Sequence, residues 1–189
     1  MTSPGYPATD KSMSTVCTVR RLGPNDVVAV VALRREALEL HPLAFSASPL
    51  DDPELLSDSF RSLLARPEEV AIFGAFVVDT LVGMVGVVRN KGTKERHKAL
   101  IWGMYVRSQN RRTGAGERLL RAAIQQARSW PGVEQVQLSV TEIAGEARRL
   151  YERNGFQEWG REPRALCWQG RYVADSHMFL DLRAPRPTV

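Results

Sequence analysis

The chain has 189 residues, 43% of them hydrophobic and 25% charged, and a formal net charge of +5. This is the composition of an ordinary soluble protein, long enough for one α/β domain with a sizeable core. The longest apolar run, Val70 to Val78 with Gly74 inside it, is too short to cross a bilayer, so no membrane association is expected.

Met1 to Ser14 contains Ser, Thr, Pro and Gly but not the apolar core of a signal peptide, so residues 1–16 are expected to be a flexible leader. The domain is expected over residues 17–183, followed by a flexible tail over 184–189. Cys17 and Cys167 form no CxxC pair, which disfavours a disulfide scaffold and fits a reducing cytoplasm. His41, His97 and His177 stand alone, without HExxH or comparable spacing, so no metal is expected.

Thr18 to Leu22 alternates and predicts a first strand. Gly23-Pro24-Asn25-Asp26 supplies a turn and a cap, and Val30, Leu33, Ala37 and Leu40 then share one face of a helix from Val27 to Leu40. His41-Pro42 ends that helix. A loop runs from Leu43 to Pro53, and a second helix from Pro53 to Ala65 would turn Leu55, Leu56, Phe60 and Leu63 or Leu64 inward. Val70 to Val78 and Leu81 to Val88 predict an antiparallel hairpin, with Ala99 to Val106 as the third strand of the meander. Leu119, Leu120, Ala123, Ile124 and Ala127 then make a helical stripe that Trp130-Pro131-Gly132 stops. Val136, Leu138 and Val140 alternate as a strand. A short helix carries Ala147, Leu150 and Tyr151 and ends at Asn154-Gly155. Two last strands are expected at Phe156–Arg161 and His177–Leu182, separated by a long loop. The order β-α-α-β-β-β-α-β-α-β-β, without internal repeats, predicts one α/β domain on a mixed sheet.

The densest chemistry follows the strand Met104-Tyr105-Val106, where Arg111-Arg112-Thr113-Gly114-Ala115-Gly116-Glu117 turns the chain into a helix. The first N–H groups of a helix and its positive dipole end favour a phosphate, and glycine lets a ligand oxygen approach the backbone. Arg89, Lys91, Lys94, Arg96 and Lys98 form one basic cluster; Arg107, Arg111, Arg112, Arg118 and Arg121 form another. Such a surface suits a small polyanion as well as nucleic acid, but no zinc-finger, RNP or basic-zipper pattern supports the second.

Two stretches together resemble the GNAT superfamily of acetyl-CoA-dependent N-acetyltransferases. One is Arg111-x-x-Gly114-x-Gly116, preceded by Met104-Tyr105-Val106 and followed by Leu119-Leu120. The other is Leu138-x-Val140, then Ala147-x-x-Leu150-Tyr151-Glu152-x-x-Gly155-Phe156. The resemblance spans Thr18 to Leu182 and implies a single domain whose mixed, mostly antiparallel sheet is splayed at the cofactor site. It implies that the pantetheine arm of acetyl-CoA lies between the strands ending at Val106 and Val140. The pyrophosphate would then rest on the N–H groups of Arg112 to Glu117. The expected cofactor-binding residues are therefore Met104, Tyr105, Val106, Arg111, Arg112, Thr113, Gly114, Ala115, Gly116 and Glu117. An N–H within Met104–Val106 would also polarise the acetyl carbonyl.

By the same resemblance Tyr151 is the expected general acid toward the coenzyme A sulfur, the alternative being that it only packs. Relatives that acetylate protein N-termini have a glutamate where this chain has Ser139, and a serine cannot itself remove an ammonium proton. Glu142 is the nearest carboxylate and the expected base, with capping of the following helix as its alternative role; Glu36, Glu39 and His97 are further candidates. Ala144 replaces an asparagine that in many members bonds the cofactor arm, a loss of about 1 kcal/mol. Phe45 and Trp102, with Trp168, are candidate walls of an acceptor pocket between the Leu43–Pro53 and Arg161–Ser176 loops, where Asp175 or Glu162 would hold a cationic amine. The implied activity is direct acetyl transfer in a ternary complex to a primary amine, on a small molecule or a protein. The alternatives are a non-catalytic acyl-CoA-binding module, suggested by Ser139 and Ala144, and, ranked last, a nucleic-acid-associated protein. The oligomeric state is left open, with the final strand able to support a homodimer.

Overall fold

Residues 17–183 are described by the computed structural model, and the expected leader over 1–16 and tail over 184–189 lie outside the described residues. The strands are β1 (Cys17–Arg21), β2 (Val70–Val77), β3 (Thr80–Arg89), β4 (Lys98–Val106), β5 (Gln135–Thr141), β6 (Gln157–Trp168) and β7 (Arg171–Asp181). The helices are α1 (Val27–Leu40), α2 (Ser57–Leu64), α3 (Ala115–Ser129) and α4 (Gly145–Arg153). The strands make one mixed sheet in the order β1-β2-β3-β4-β5-β7-β6. Every neighbouring pair is antiparallel except β4 and β5, which the α3 crossover joins in parallel.

That parallel pair is where the sheet opens. β4 and β5 pair only over Lys98–Leu100 against Gln135–Gln137. Ile101–Val106 and Leu138–Thr141 then diverge without pairing to one another. β4 bends at a bulge: its register against β3 shifts between Met84 and Gly86, beside Gly103 at φ +60. An extra residue on one strand bends and twists it, which carries the end of β4 away from β5. Gly86 is what lets Trp102 cross β3 here, since a Cβ at Gly86 would stand 2.2 Å from Trp102 Cε2.

Each face of the sheet has its own core. On one face, Leu119, Leu120, Ala123 and Ala127 of α3 pack with Val85, Val87, Ala99, Ile101, Val136 and Leu138, joined by Tyr151 and Phe156. On the other, Val27, Val30, Leu33 and Ala37 of α1 and Phe60 of α2 pack with Ile72, Phe76, Met84 and Tyr105. Both helices follow the 3.6-residue period, and each fully buried large side chain contributes roughly 2 kcal/mol.

The helix from Val27 to Leu40 and the element order are as the sequence predicts, and three details differ. Leu40 is 63% exposed while Leu38 is buried, because Val30, Leu33, Arg34, Ala37 and Leu38 form the stripe and Leu40 falls off it. The second helix starts later: Leu56 is extended (φ −89, ψ 123) and separates a 3-10 turn at Pro53–Leu55 from α2, leaving Leu56 64% exposed. The expected Arg161–Ser176 loop is instead a hairpin, β6 and β7 joined through Gln169 (φ +49) and Gly170 (φ +77). As an edge strand β6 needs no apolar alternation, and Pro163 and Arg164 (φ +57) fall in an irregularity between Glu162 and Leu166. The final strand, β7, lies between β5 and β6, so the dimer expectation loses its edge; the sheet ends at β1 and β6. Among the described residues no helix is long and apolar enough to cross a membrane.

Candidate functional site

Between β4 and α3 the chain passes through a 3-10 turn at Ser108–Asn110 and two left-handed residues, Arg112 (φ +63) and Gly114 (φ +84). Arg111 N–H donates to Ser108 O at 3.2 Å and Arg118 N–H to Gly114 O at 3.0 Å. The N–H groups between them belong to a loop and first helical turn that have no intrahelical acceptors, at the positive end of a 15-residue helix. A Cβ at Gly114 would meet nothing within 4 Å, so the glycine answers to φ rather than to crowding. At Gly116 a Cβ would stand 3.4 Å from Leu150 Cδ2 and 3.6 Å from Met104 Cε, which places the cradle directly against β4 and α4.

Side chains around this loop brace it. Thr113 Oγ1 donates to Asn110 O at 2.8 Å, and Arg111 Nε donates to the Val106 carbonyl at 3.1 Å. Arg111 Nη2 lies 3.1 Å from His41 Nε2, and burial together with the Arg111 charge holds the His41 pKa below its ordinary value. Arg112 pairs with Glu146 at 3.2 Å; Glu117 is held by Arg121 at 2.9 Å and by Asn154 at 3.2 Å. Arg107 pairs with Glu36 at 2.8 Å and Arg118 donates to the Cys17 carbonyl, so this basic cluster is mostly engaged within the fold.

Tyr151 lies in the second turn of α4, in the same core as Met104, Val106 and Leu150. Its ring is buried, edge-on to Phe156 at 5.9 Å. Its hydroxyl has no hydrogen-bond partner among the described residues. Burial pushes the phenol well above its ordinary pKa, so at neutral pH it stays protonated and presents an O–H. Ala144 precedes α4 without a side-chain cap, and its N–H donates to Thr141 O at 2.9 Å.

The other sequence-derived candidates lie as follows. The Tyr105 side chain belongs to the α1 core, and its hydroxyl donates to Glu36 at 3.0 Å, so only its backbone borders the gap. The hydrogen bond from Arg107 holds the Glu36 carboxyl below its usual range. Phe45 and Trp102 are partly buried against the same core. The buried Arg34 guanidinium lies 5.1 Å over Trp102 and pairs with Asp52 at 2.5 Å and Glu54 at 2.7 Å, tying the Leu43–Pro53 loop to α1. Glu142 has both oxygens occupied, one by Arg161 at 2.6 Å and one by the Ala174 N–H at 3.1 Å. Glu39 is exposed on α1, His97 precedes the paired, closed end of β4, and Trp168 sits beside the β6–β7 turn.

One arrangement escaped sequence reasoning. Ser139 of β5 pairs with His177 of β7, and Ser139 Oγ lies 2.8 Å from His177 Nδ1. His177 Nε2 is 3.4 Å from Glu162 Oε2, and the ring stacks on Trp159 at 5.5 Å and 28°. The expected start of the last strand at His177 stops short of showing this: only the full β5–β7 register sets the two side chains side by side. Among the described residues no group of three His, Cys, Asp or Glu side chains is placed to hold a metal ion.

The model of the acetyltransferase (GNAT) family matches residues 31–156, from α1 through the cradle and α4. No curated protein matches the sequence. Among solved structures, yncA of Salmonella typhimurium, determined with its cofactor acetyl-CoA, is similar at TM-score 0.78 and 19% identity, over 92% of this chain and 98% of that one. An acetyltransferase of the GNAT family from Streptococcus pneumoniae has TM-score 0.76 and 22% identity, over 87% and 98%. The ribosomal-protein-alanine N-acetyltransferase of Brucella melitensis has TM-score 0.75 and 23% identity, over 87% and 99%.

Proposed function

The chain belongs to the acetyltransferase (GNAT) family, and on that premise we propose that it is an N-acetyltransferase that moves the acetyl group of acetyl-CoA to a primary amine in a ternary complex. The observation that supports this best is the gap between β4 and β5, with the α3 cradle following β4 and Tyr151 of α4, whose hydroxyl has no partner among the described residues, packed in the core with Met104 and Val106. Strand backbone without a partner accepts an extended amide-bearing arm as it would another strand. Met104 and Val106 would hold that arm, although the Val106 carbonyl already accepts from Arg111 and offers only its second lone pair. The N–H groups of Arg112 to Glu117 would take the pyrophosphate. The free N–H groups at the positive end of α3 suit a pyrophosphate, which supports this assignment.

Acetyl-CoA, when bound, supplies an activated thioester. The chain supplies the rest. Tyr151 is assigned as the acid: its neutral phenol offers a hydrogen bond, and then a proton, to the departing sulfur. An N–H within Met104–Val106 is assigned to the acetyl oxygen. Glu142 enters as the partner of Arg161 and of the Ala174 N–H, which occupy its two oxygens. Phe45 and Trp102 are assigned to the acceptor side through the loop they help hold. Both cysteines are free thiols, which fits a reducing, cytoplasmic setting.

The test is an acetyl-CoA thiol-release screen over small amines and peptides with free N-termini or lysines. Thiol release matched by acetylated amine is the expected result. Tight acetyl-CoA binding without thiol release from any amine class would instead identify an acyl-CoA-binding module.

A further inference from the structure

The alternation of β5 separates two chemistries across one strand. Leu138 and Val140 face the core shared with α3 and Tyr151, so Ser139 between them faces the opposite side. Ser139 is solvent-exposed and lies on the stretch of β5 that has left β4. Thr141 of β5 and Asp175 of β7, each two residues from this Ser139–His177 pair, face each other on the same side. Thr141 Oγ1 and Asp175 Oδ1 are both buried without a hydrogen-bond partner, and Thr141 is only 4% exposed. Buried polar atoms without a protein partner are costly unless a ligand or an ordered water completes them, and this pair lies beside an exposed serine.

We propose that Ser139 and His177 form the proton relay of the reaction, taking the proton of the acceptor ammonium on the face of β5 opposite Tyr151, with Asp175 and Thr141 receiving that ammonium first. This rests on the acetyl-transfer reading above. Glu162 faces His177 Nε2 and favours a proton there, which leaves Nδ1 to accept from Ser139 Oγ–H. The ammonium gives one proton to Ser139 Oγ while the serine proton passes to His177 Nδ1. The amine nitrogen then bonds to the acetyl carbon, the carbon–sulfur bond breaks, and the sulfur keeps the electron pair and takes a proton from Tyr151. A second proton leaves the new amide nitrogen to solvent as Tyr151 and His177 are restored. The groups facing His177 are Ser139 and Thr141 from β5, Glu162 and Trp159 from β6, and Asp175 from β7; Arg161 is taken up by Glu142. Burial, together with the neighbouring Glu162 charge, raises the Asp175 pKa, so an arriving cation would favour its ionised form.

The test measures acceptor kcat/KM at saturating acetyl-CoA from about pH 5.5 to about pH 9. It uses the amine selected by the thiol-release screen, with wild type, His177→Gln and Ser139→Ala. Both variants are expected to lose about 100-fold or more and to lose the acid limb of the profile, with acetyl-CoA affinity held within about twofold. His177→Gln at wild-type rate and profile overturns the relay. If that variant does not fold, Ser139→Ala decides, since Ser139 is exposed; wild-type kinetics there also overturn it. An acetyl group trapped on Ser139 makes the serine a nucleophile and overturns it too. A wild-type chain that turns over no amine overturns the transfer reading and the relay with it, whereas the variant results touch the relay alone.

Discussion

Replacing Tyr151 by Phe separates the two roles open to this residue. The ring keeps its contact with Phe156, and the hydroxyl that is lost has no protein partner among the described residues. A locally bonded hydroxyl would cost about 1 kcal/mol on removal; this one should cost nothing, so the melting temperature should hold or rise. A general acid contributes about 100- to 10,000-fold, which at 1.36 kcal/mol per tenfold is roughly 3 to 5 kcal/mol of barrier. The expected variant therefore folds like wild type, binds acetyl-CoA within about twofold, and loses at least about 100-fold in kcat. Burial adds a pH signature. The folded phenol titrates above the unfolded value near 10, so its contribution to stability is intact below about pH 10 and is lost as the pH rises further. Tyr151 should accordingly impose no alkaline limb on the rate up to about pH 9. Steady-state rates, calorimetric binding and thermal melts of the two proteins measure all of this. A kcat within about threefold of wild type would refute the assignment of the acid.

Gly114→Ala puts a side chain at φ +84, which costs about 1 to 2 kcal/mol and distorts the loop. Calorimetry should show acetyl-CoA binding weakened by about tenfold or more, and unchanged affinity would remove the pyrophosphate from this loop. Asp52→Ala leaves the buried Arg34 with Glu54 as its one carboxylate partner among the described residues and should destabilise the fold by about 3 to 5 kcal/mol in urea unfolding; a loss under about 1 kcal/mol would show that the loop is not anchored there. The folded His41 pKa lies below the unfolded value near 6.5, so the stability it contributes is present above that pH and is lost as the pH falls through the folded value. His41→Asn should therefore flatten the decline in melting temperature between about pH 7 and about pH 5, and melts that track wild type would contradict this.

The elements around the proposed donor site were legible because each carries a strong local signal. Val30, Leu33 and Ala37 mark α1, Gly114 and Gly116 open α3, and the Leu119–Ala127 stripe fixes the face of α3 that packs. The widening between β4 and β5 was implied only by family resemblance, since no local pattern tells a paired strand from a splayed one. β6 was read as ending at Arg161 because an exposed edge imposes no alternation: Glu162, Pro163 and Arg164 read as a loop. With β6 and β7 shortened, His177 stood as a lone histidine. Its partner Ser139 is 38 residues away, and the contact exists only in the register of two strands. Glu142 looked available in sequence for the same reason, because Arg161 and the Ala174 N–H reach it from β6 and β7.

The central claim is that one chain holds acetyl-CoA and an amine together and transfers the acetyl group directly between them. Initial rates with both substrates varied, alongside intact-protein mass spectra during turnover, test it most directly. The account predicts intersecting double-reciprocal lines, one thiol released per amine acetylated, and no acetylated protein. Parallel lines with an acetyl group trapped on the chain, or thiol release without acetylated amine, would contradict it.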